Sequence, residues 1–228
     1  LGLFDSDFAK LTTPDLTSRE RLDLNPGGFT ESYAYGVGGT QQVGYASGPA
    51  TSFVAHAILW KGSAASAVDL NPTGFNQSFA AATNGTQQVG QGEGTATGGN
   101  EHALLWNGSA TSYVDLNPSG FTSSFADAIS GTWQAGYGQG TATGNANNAL
   151  LWSGTAGSFI DLQSVLPPTF ISSEAYSISG NTVYGLASDA SGNYHAIAWT
   201  IVPEPAGLSL LAIAGLGLLR RPRLQIQR

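Results

Sequence analysis

Four short apolar runs stand out along a chain otherwise rich in small polar residues: HAILW ending at Trp60, HALLW at Trp106, NALLW at Trp152 and HAIAW at Trp199. Each is too short for a helix, and the first three run into a Lys-Gly, Asn-Gly or Ser-Gly turn, the pattern of a buried strand. Around each run lie three more strand-like segments. One is SYAYGV, SFAAAT, SFADAI or AYSI, one is TQQVGYA or a relative, and one is a short stretch such as SYVDL. Two-residue turns separate them at Gly38-Gly39, Asn84-Gly85, Ser130-Gly131 and Gly180-Asn181, and again at Lys61-Gly62, Asn107-Gly108 and Ser153-Gly154. Such pairs tolerate positive φ and predict hairpins. Each unit therefore reads as a four-stranded antiparallel meander, with strands called a to d.

The units repeat. DLNPGGF begins at Asp23, DLNPTGF at Asp69, DLNPSGF at Asp115 and the degenerate DLQSVLPPTF at Asp161, each step being 46 residues. GTQQVG at Gly39 and Gly85, GTWQAG at Gly131 and GNTVYG at Gly180 keep nearly the same period. Four strands in about 46 residues is the signature of a propeller blade. The units lie near 23–68, 69–114, 115–160 and 161–200, within a repeat domain over 19–201 that follows a poorly defined lead-in over 1–18. The last unit lacks a strand d, and RERLDL before the first unit reads as strand d alone. The expectation is an all-β fold, a small four-bladed β-propeller closed by the N-terminal strand. An open propeller arc or a β-solenoid is the alternative.

The motifs HA-apolar-LW, DLNPxGF, S-aromatic-A and GTQQVG, in register over roughly Leu22 to Thr200, resemble the bacterial extracellular HAF repeats. That resemblance implies an exported protein with a repetitive β fold and no known activity.

From Val202 the pattern changes, and 202–228 reads as a separate tail. Pro203-Glu204-Pro205 precedes the uncharged run Ala206 to Leu219, then Arg220, Arg221 and Arg223. Fourteen apolar residues form a short hydrophobic helix below the ~20 of a full membrane span, and the arginines would remain cytoplasmic. The tail resembles the PEP-CTERM sorting signal. By that resemblance Pro203, Glu204 and Pro205, with Arg220 and Arg221, would be read by an exosortase-type membrane processing enzyme. The domain would end at the cell surface or in extracellular matrix, held by the membrane before processing. The plainer reading is a C-terminal anchor helix with a proline hinge. Residues 1–18 lack the basic start and apolar run of a signal peptide, and the chain has no Met, so any leader is expected to be already removed or not included.

Composition narrows the chemistry. Of 228 residues, 31 are Gly and only 10% are charged, while 41% are hydrophobic, which suits strands and turns around a folded core. From Leu22 to Thr200 one lysine faces ten acids, a net charge of −9. Without clustered Lys or Arg, counterion release cannot drive nucleic-acid binding, which is excluded. The absence of Cys removes disulfides and thiolate chemistry.

Candidate site residues are few. His56, His102 and His195 occupy one repeat position that Asn148 fills in the third unit, so one hydrogen bond per unit is expected rather than a metal site. Asp23, Asp69, Asp115 and Asp161 are expected to cap turns. Calcium, the one cofactor weighed, needs six to eight oxygens, more than DLNPxGF offers with Asn25, Asn71 and Asn117. The four repeated tryptophans read as packing anchors. Trp133 breaks the repeat where Gln41 and Gln87 stand, and is the candidate ligand contact. A glycosidase pair would have to come from the non-repeated acids Glu31, Glu93, Glu101, Asp127, Glu174 and Asp189. No catalytic motif is present, and no catalytic residue is assigned. The expected function is non-catalytic binding or adhesion, with extracellular polysaccharide as partner. A glycan hydrolase or lyase and a purely structural matrix component are the alternatives.

Overall fold

The computed structural model describes residues 22–202, and these are all-β, with no α-helix among them. Fifteen strands form four antiparallel sheets in chain order. The first contains β1 (Glu31–Gly38), β2 (Gln41–Ser47), β3 (His56–Trp60) and β4 (Val68–Asp69). The second contains β5 (Phe75–Thr83), β6 (Gln88–Gly94), β7 (His102–Trp106) and β8 (Val114–Asp115). The third contains β9 (Ser123–Ser130), β10 (Trp133–Gln139), β11 (Asn148–Trp152) and β12 (Ile160–Asp161). The fourth has three strands, β13 (Phe170–Ser179), β14 (Thr182–Asp189) and β15 (Tyr194–Thr200).

The meander expected from the turn pairs is present in every unit. Gly39, Gly85, Gly131 and Gly180 at the a–b turn, and Gly62, Gly108 and Gly154 at the c–d turn, all have positive φ. A second glycine position is fixed by contact rather than by turn geometry. Strand a is bulged at Ala34/Gly36, Ala80/Ala82 and Ala175/Ser177, and the β9–β10 register shifts at the same place. Beside each irregularity stands Gly44, Gly90, Gly136 or Gly185, where a Cβ would collide with the carbonyl oxygen of Tyr33, Phe79, Phe125 or Glu174. This explains why GTQQVG ends in Gly: the bulge leaves no room for a side chain.

The apolar runs ending at Trp60, Trp106 and Trp152 are buried between sheets, whereas of HAIAW on β15 only Trp199 is buried. Core residues collect between sheets. Val43, Leu59 and Ala80 pack with Leu104 and Trp106 between the first two sheets. Val89, Leu105 and Ala126 pack with Leu150 and Trp152 between the second and third. Ala135, Leu151 and Ala175 pack with Val183 and Trp199 between the third and fourth.

The indole nitrogens of Trp60, Trp106 and Trp152 are buried without a partner among the described residues. An unsatisfied donor costs about 1–3 kcal/mol. Burying 150–250 Å² of aromatic surface returns about 4–6 kcal/mol, so packing wins.

The junctions also share a polar code. Ser78 Oγ accepts the Ala57 N–H, Ser124 Oγ that of Ala103 and Ser173 Oγ that of Ala149, each at 3.0 Å. Leu70 and Leu116 donate their N–H to the Ala57 and Ala103 carbonyls at 2.8 Å.

The closing strand expected at the N-terminus is not formed in the described residues. Leu22–Leu24 carry no strand, residues 19–21 lie outside the described residues, and the fourth sheet stops at β15. Among the described residues no hydrogen bond, aromatic pair or core cluster joins the fourth sheet to the first, and the array is open rather than a closed barrel. Leu24 instead packs beside Ile58 and Trp60 of its own first sheet. The expected C-terminal helix, with Pro203, Glu204, Pro205, Arg220 and Arg221, also lies outside the described residues.

Candidate functional site

Two of the three repeated histidines, His56 and His102, are engaged inside their units. His56 Nδ1 lies 2.7 Å from Asp69 Oδ2, and His102 Nδ1 lies 2.7 Å from Asp115 Oδ2. The other ring nitrogen of each faces an amide donor, Asn71 Nδ2 at 3.4 Å and Asn117 Nδ2 at 3.2 Å. Both ring nitrogens of His56 and of His102 thus face polar groups of their own unit. In the third unit Asn148 Nδ2 donates to Asp161 Oδ2 at 2.8 Å, reproducing the bond with a different side chain.

The aspartates work as the turn reading expects. Asp23, Asp69, Asp115 and Asp161 each accept, on Oδ1, the N–H of the residue two positions on. Asn25, Asn71 and Asn117 then donate to the carbonyl of the phenylalanine closing the motif. Gln163 does the same to Phe170 at 2.8 Å, its longer side chain spanning the extended turn of the degenerate copy.

Gln42, Gln88 and Gln134 each accept the N–H of the c–d turn glycine, Gly62, Gly108 and Gly154. The other glutamine position points between units: Gln41 Oε1 accepts from Thr83 Oγ1 and from Gln88 Nε2. Trp133 occupies this inter-unit position in the third unit. It is half-buried and packs against the core cluster between the third and fourth sheets.

Of the non-repeated acids, three are tied to near neighbours. Ser47 Oγ donates to Glu31 at 2.7 Å and Gln77 Nε2 to Glu93 at 2.9 Å. Asp189 accepts from the N–H groups of Ser191 and Asn193 and from Asn193 Nδ2. These bonds, led by the Asn193 side chain, hold its carboxyl down at about 2.

Asp127 and Glu174 are different. Asp127 on β9 and Glu174 on β13 face each other electrostatically across the junction of the third and fourth sheets. Burial, with the charge of Glu174 adding, raises Asp127 to about 6. Glu174 accepts from Asn147 Nδ2 at 2.6 Å and from the Tyr176 hydroxyl. Tyr137, stacked on Phe125 with ring centres 4.8 Å apart, is pushed up to about 12 by burial and then by these carboxylates. Tyr176 meets Tyr137 edge-on, and its hydroxyl is raised by burial and by its bond to Glu174. Glu101 is also raised, by burial first and then by Glu93. Sequence spacing could not find this group. Asp127 and Glu174 are 47 residues apart and neither belongs to the repeated pattern; only the bulged strands a and their stacking bring them together.

A cavity of about 530 Å³ lies elsewhere, bordered by Leu151, Leu162, Leu166, Ile197, Trp199 and Val202. Among the described residues no ionisable side chain lines it.

These features define a class: an open array of all-β repeat units with acidic and aromatic side chains gathered at unit junctions. No protein-family model, curated protein or solved structure matches the chain.

Proposed function

We propose that this chain is an exported repeat protein of the cell surface or extracellular matrix, with units wound in the manner of propeller blades, which binds rather than catalyses. Extracellular polysaccharide is its ligand class. The observation that carries the reading is the division of labour among side chains. At the three junctions within the chain, the repeated His, Asp, Asn, Gln and Ser residues are engaged in bonds within and between units. Tyr33, Tyr35 and Tyr176 are left exposed on strands a. Flat aromatic faces beside carboxylates suit the apolar faces and hydroxyls of sugars.

The tail supports the destination. Pro203-Glu204-Pro205, the apolar run and Arg220-Arg221 have the order of a sorting signal read by an exosortase-type enzyme. The domain would pass from a membrane-held precursor to the surface.

The test is calorimetric titration of the full chain with the producing cell's own extracellular polysaccharide, with and without calcium. Saturable heat that weakens in Tyr176→Ala, and in Trp133→Ala if the junction residue also touches ligand, supports the reading. No heat at millimolar sugar from a folded protein overturns it in favour of a purely structural matrix role.

A second reading rests on Asp127 and Glu174. One carboxyl raised to about 6 beside a second, hydrogen-bonded carboxylate is the division of roles a glycan hydrolase uses. Release of reducing ends from polysaccharide, abolished by Asp127→Asn, would favour it. Equal release by both proteins would remove it.

A further inference from the structure

The three junctions within the chain are built from one set of matched parts. From the earlier unit come a buried residue on strand b (Val43, Val89, Ala135) and the strand c alanine N–H (Ala57, Ala103, Ala149). From the later unit come the serine acceptor (Ser78, Ser124, Ser173) and a buried alanine two residues on (Ala80, Ala126, Ala175). The dipeptide strands β4, β8 and β12 complete the earlier sheet by pairing with strand c. Their aspartates bond His56, His102 and Asn148.

Each end of the array carries one unmatched half of this set. On the first sheet Ser32 and Ala34 occupy the serine and alanine positions, and Ala34 is exposed. Leu22-Asp23 occupy the dipeptide position; Leu22 is exposed, and Asp23 has only the bond from the Asn25 N–H among the described residues. On the last sheet Tyr184 stands at the Val43 position but is 48% exposed, and Ala196 and Ala198 are exposed too. Among the described residues the outer edge of β15 pairs with no strand. His195 stands at the His56 position, yet its nearest carboxylate is Asp189 on its own hairpin, at 3.6 Å.

We infer that these halves form a fourth junction between two copies of this chain, docked head to tail. Leu22-Asp23 of one copy adds as the missing strand to β15 of the other, Asp23 bonds His195, and Ser32 Oγ accepts the Ala196 N–H. The partner is identified by the three junctions already formed: a surface left by removing one unit from a repetitive stack fits another such unit. An unpaired edge beside exposed small apolar residues is also a template for strand addition. Such an interface is heterologous, so each added copy presents a fresh end, and assembly proceeds to chains or to a closed ring of copies. The inference does not depend on the polysaccharide reading.

The chain has no Cys, which makes the test direct. Ser32→Cys and Ala196→Cys, each made in the full chain, are exposed to a mild thiol oxidant separately and as a mixture of the reduced proteins. A disulfide-linked dimer is expected in the mixture and not in either protein alone. The double variant should give a ladder of multimers. A double variant that instead forms only an internally cross-linked monomer overturns the inference, because the ends then meet within one chain. Light scattering of the unaltered full chain gives an independent readout. Its mass should rise with concentration, and Ala196→Arg, at a surface-exposed site, should abolish that rise while leaving circular dichroism unchanged. A monomer at all concentrations, or association that persists in Ala196→Arg, overturns it as well.

Discussion

Ser78 of the second unit accepts the backbone N–H of Ala57 in the first at 3.0 Å, with both groups fully buried. Two serine equivalents repeat this bond, so a hydroxyl on strand a is the polar latch of each junction. Ser78→Ala leaves a buried N–H unpaired, which costs about 1–3 kcal/mol. Ser32→Ala removes no such bond within one chain. Urea unfolding at concentrations too low for association should show a clear loss for Ser78→Ala and a change below about 0.5 kcal/mol for Ser32→Ala.

Gly90 faces the carbonyl of Phe79 at the strand a bulge. A methyl group there must displace backbone, and overpacking of this kind costs about 1–3 kcal/mol. Gly90→Ala should sit at the upper end of that range by thermal unfolding. Gly154→Ala, where no atom crowds the added carbon but φ is +85°, should lose less, about 1 kcal/mol.

The exchange of His102 for Asn in the third unit makes a comparison available. His102→Asn keeps a donor for Asp115, whereas His102→Ala removes it. The alanine variant should be the less stable of the two, by about 1 kcal/mol in urea unfolding.

Two acids move stability with pH in opposite directions. Asp127 is raised from 3.8 to about 6 by burial and the Glu174 charge, so the folded protein binds more protons than the unfolded chain between those values. Stability therefore falls as pH rises from about 4 to 6. Asp127→Asn should flatten that slope and raise stability at pH 7 by roughly 1–2 kcal/mol, with partial solvent screening allowed for. Asp189 is lowered to about 2, so its contribution is present above about 4 and is lost as pH falls toward 2. Asp189→Asn should remove part of the acid loss without touching the slope above pH 4.

Much of this molecule was legible along the chain because its determinants are local. The turn glycines, the Asx aspartates and the apolar strand c runs act within a few residues, and the 46-residue period shows them several times. The Asn148 exchange even indicated that the histidine position makes a hydrogen bond, which Asn148 forms with Asp161. The closing N-terminal strand did not follow in the same way. RERLDL carries a strand d pattern, but a dipeptide strand forms only against a free strand c edge. Where Leu24 packs on its own sheet, that edge belongs to a sheet far along the chain.

The sequence by itself determined the unit: its four strands, its turns, its period and its acidic, cysteine-free composition. Tertiary structure decided how units meet. Packing strand a against the preceding strand c made Ser78 a latch, placed Trp133 at an inter-unit contact, and raised Asp127 by burying it, with the charge of Glu174 adding. Each depends on distances between residues far apart in the chain, set by how twisted, bulged sheets stack. No local pattern records that stacking.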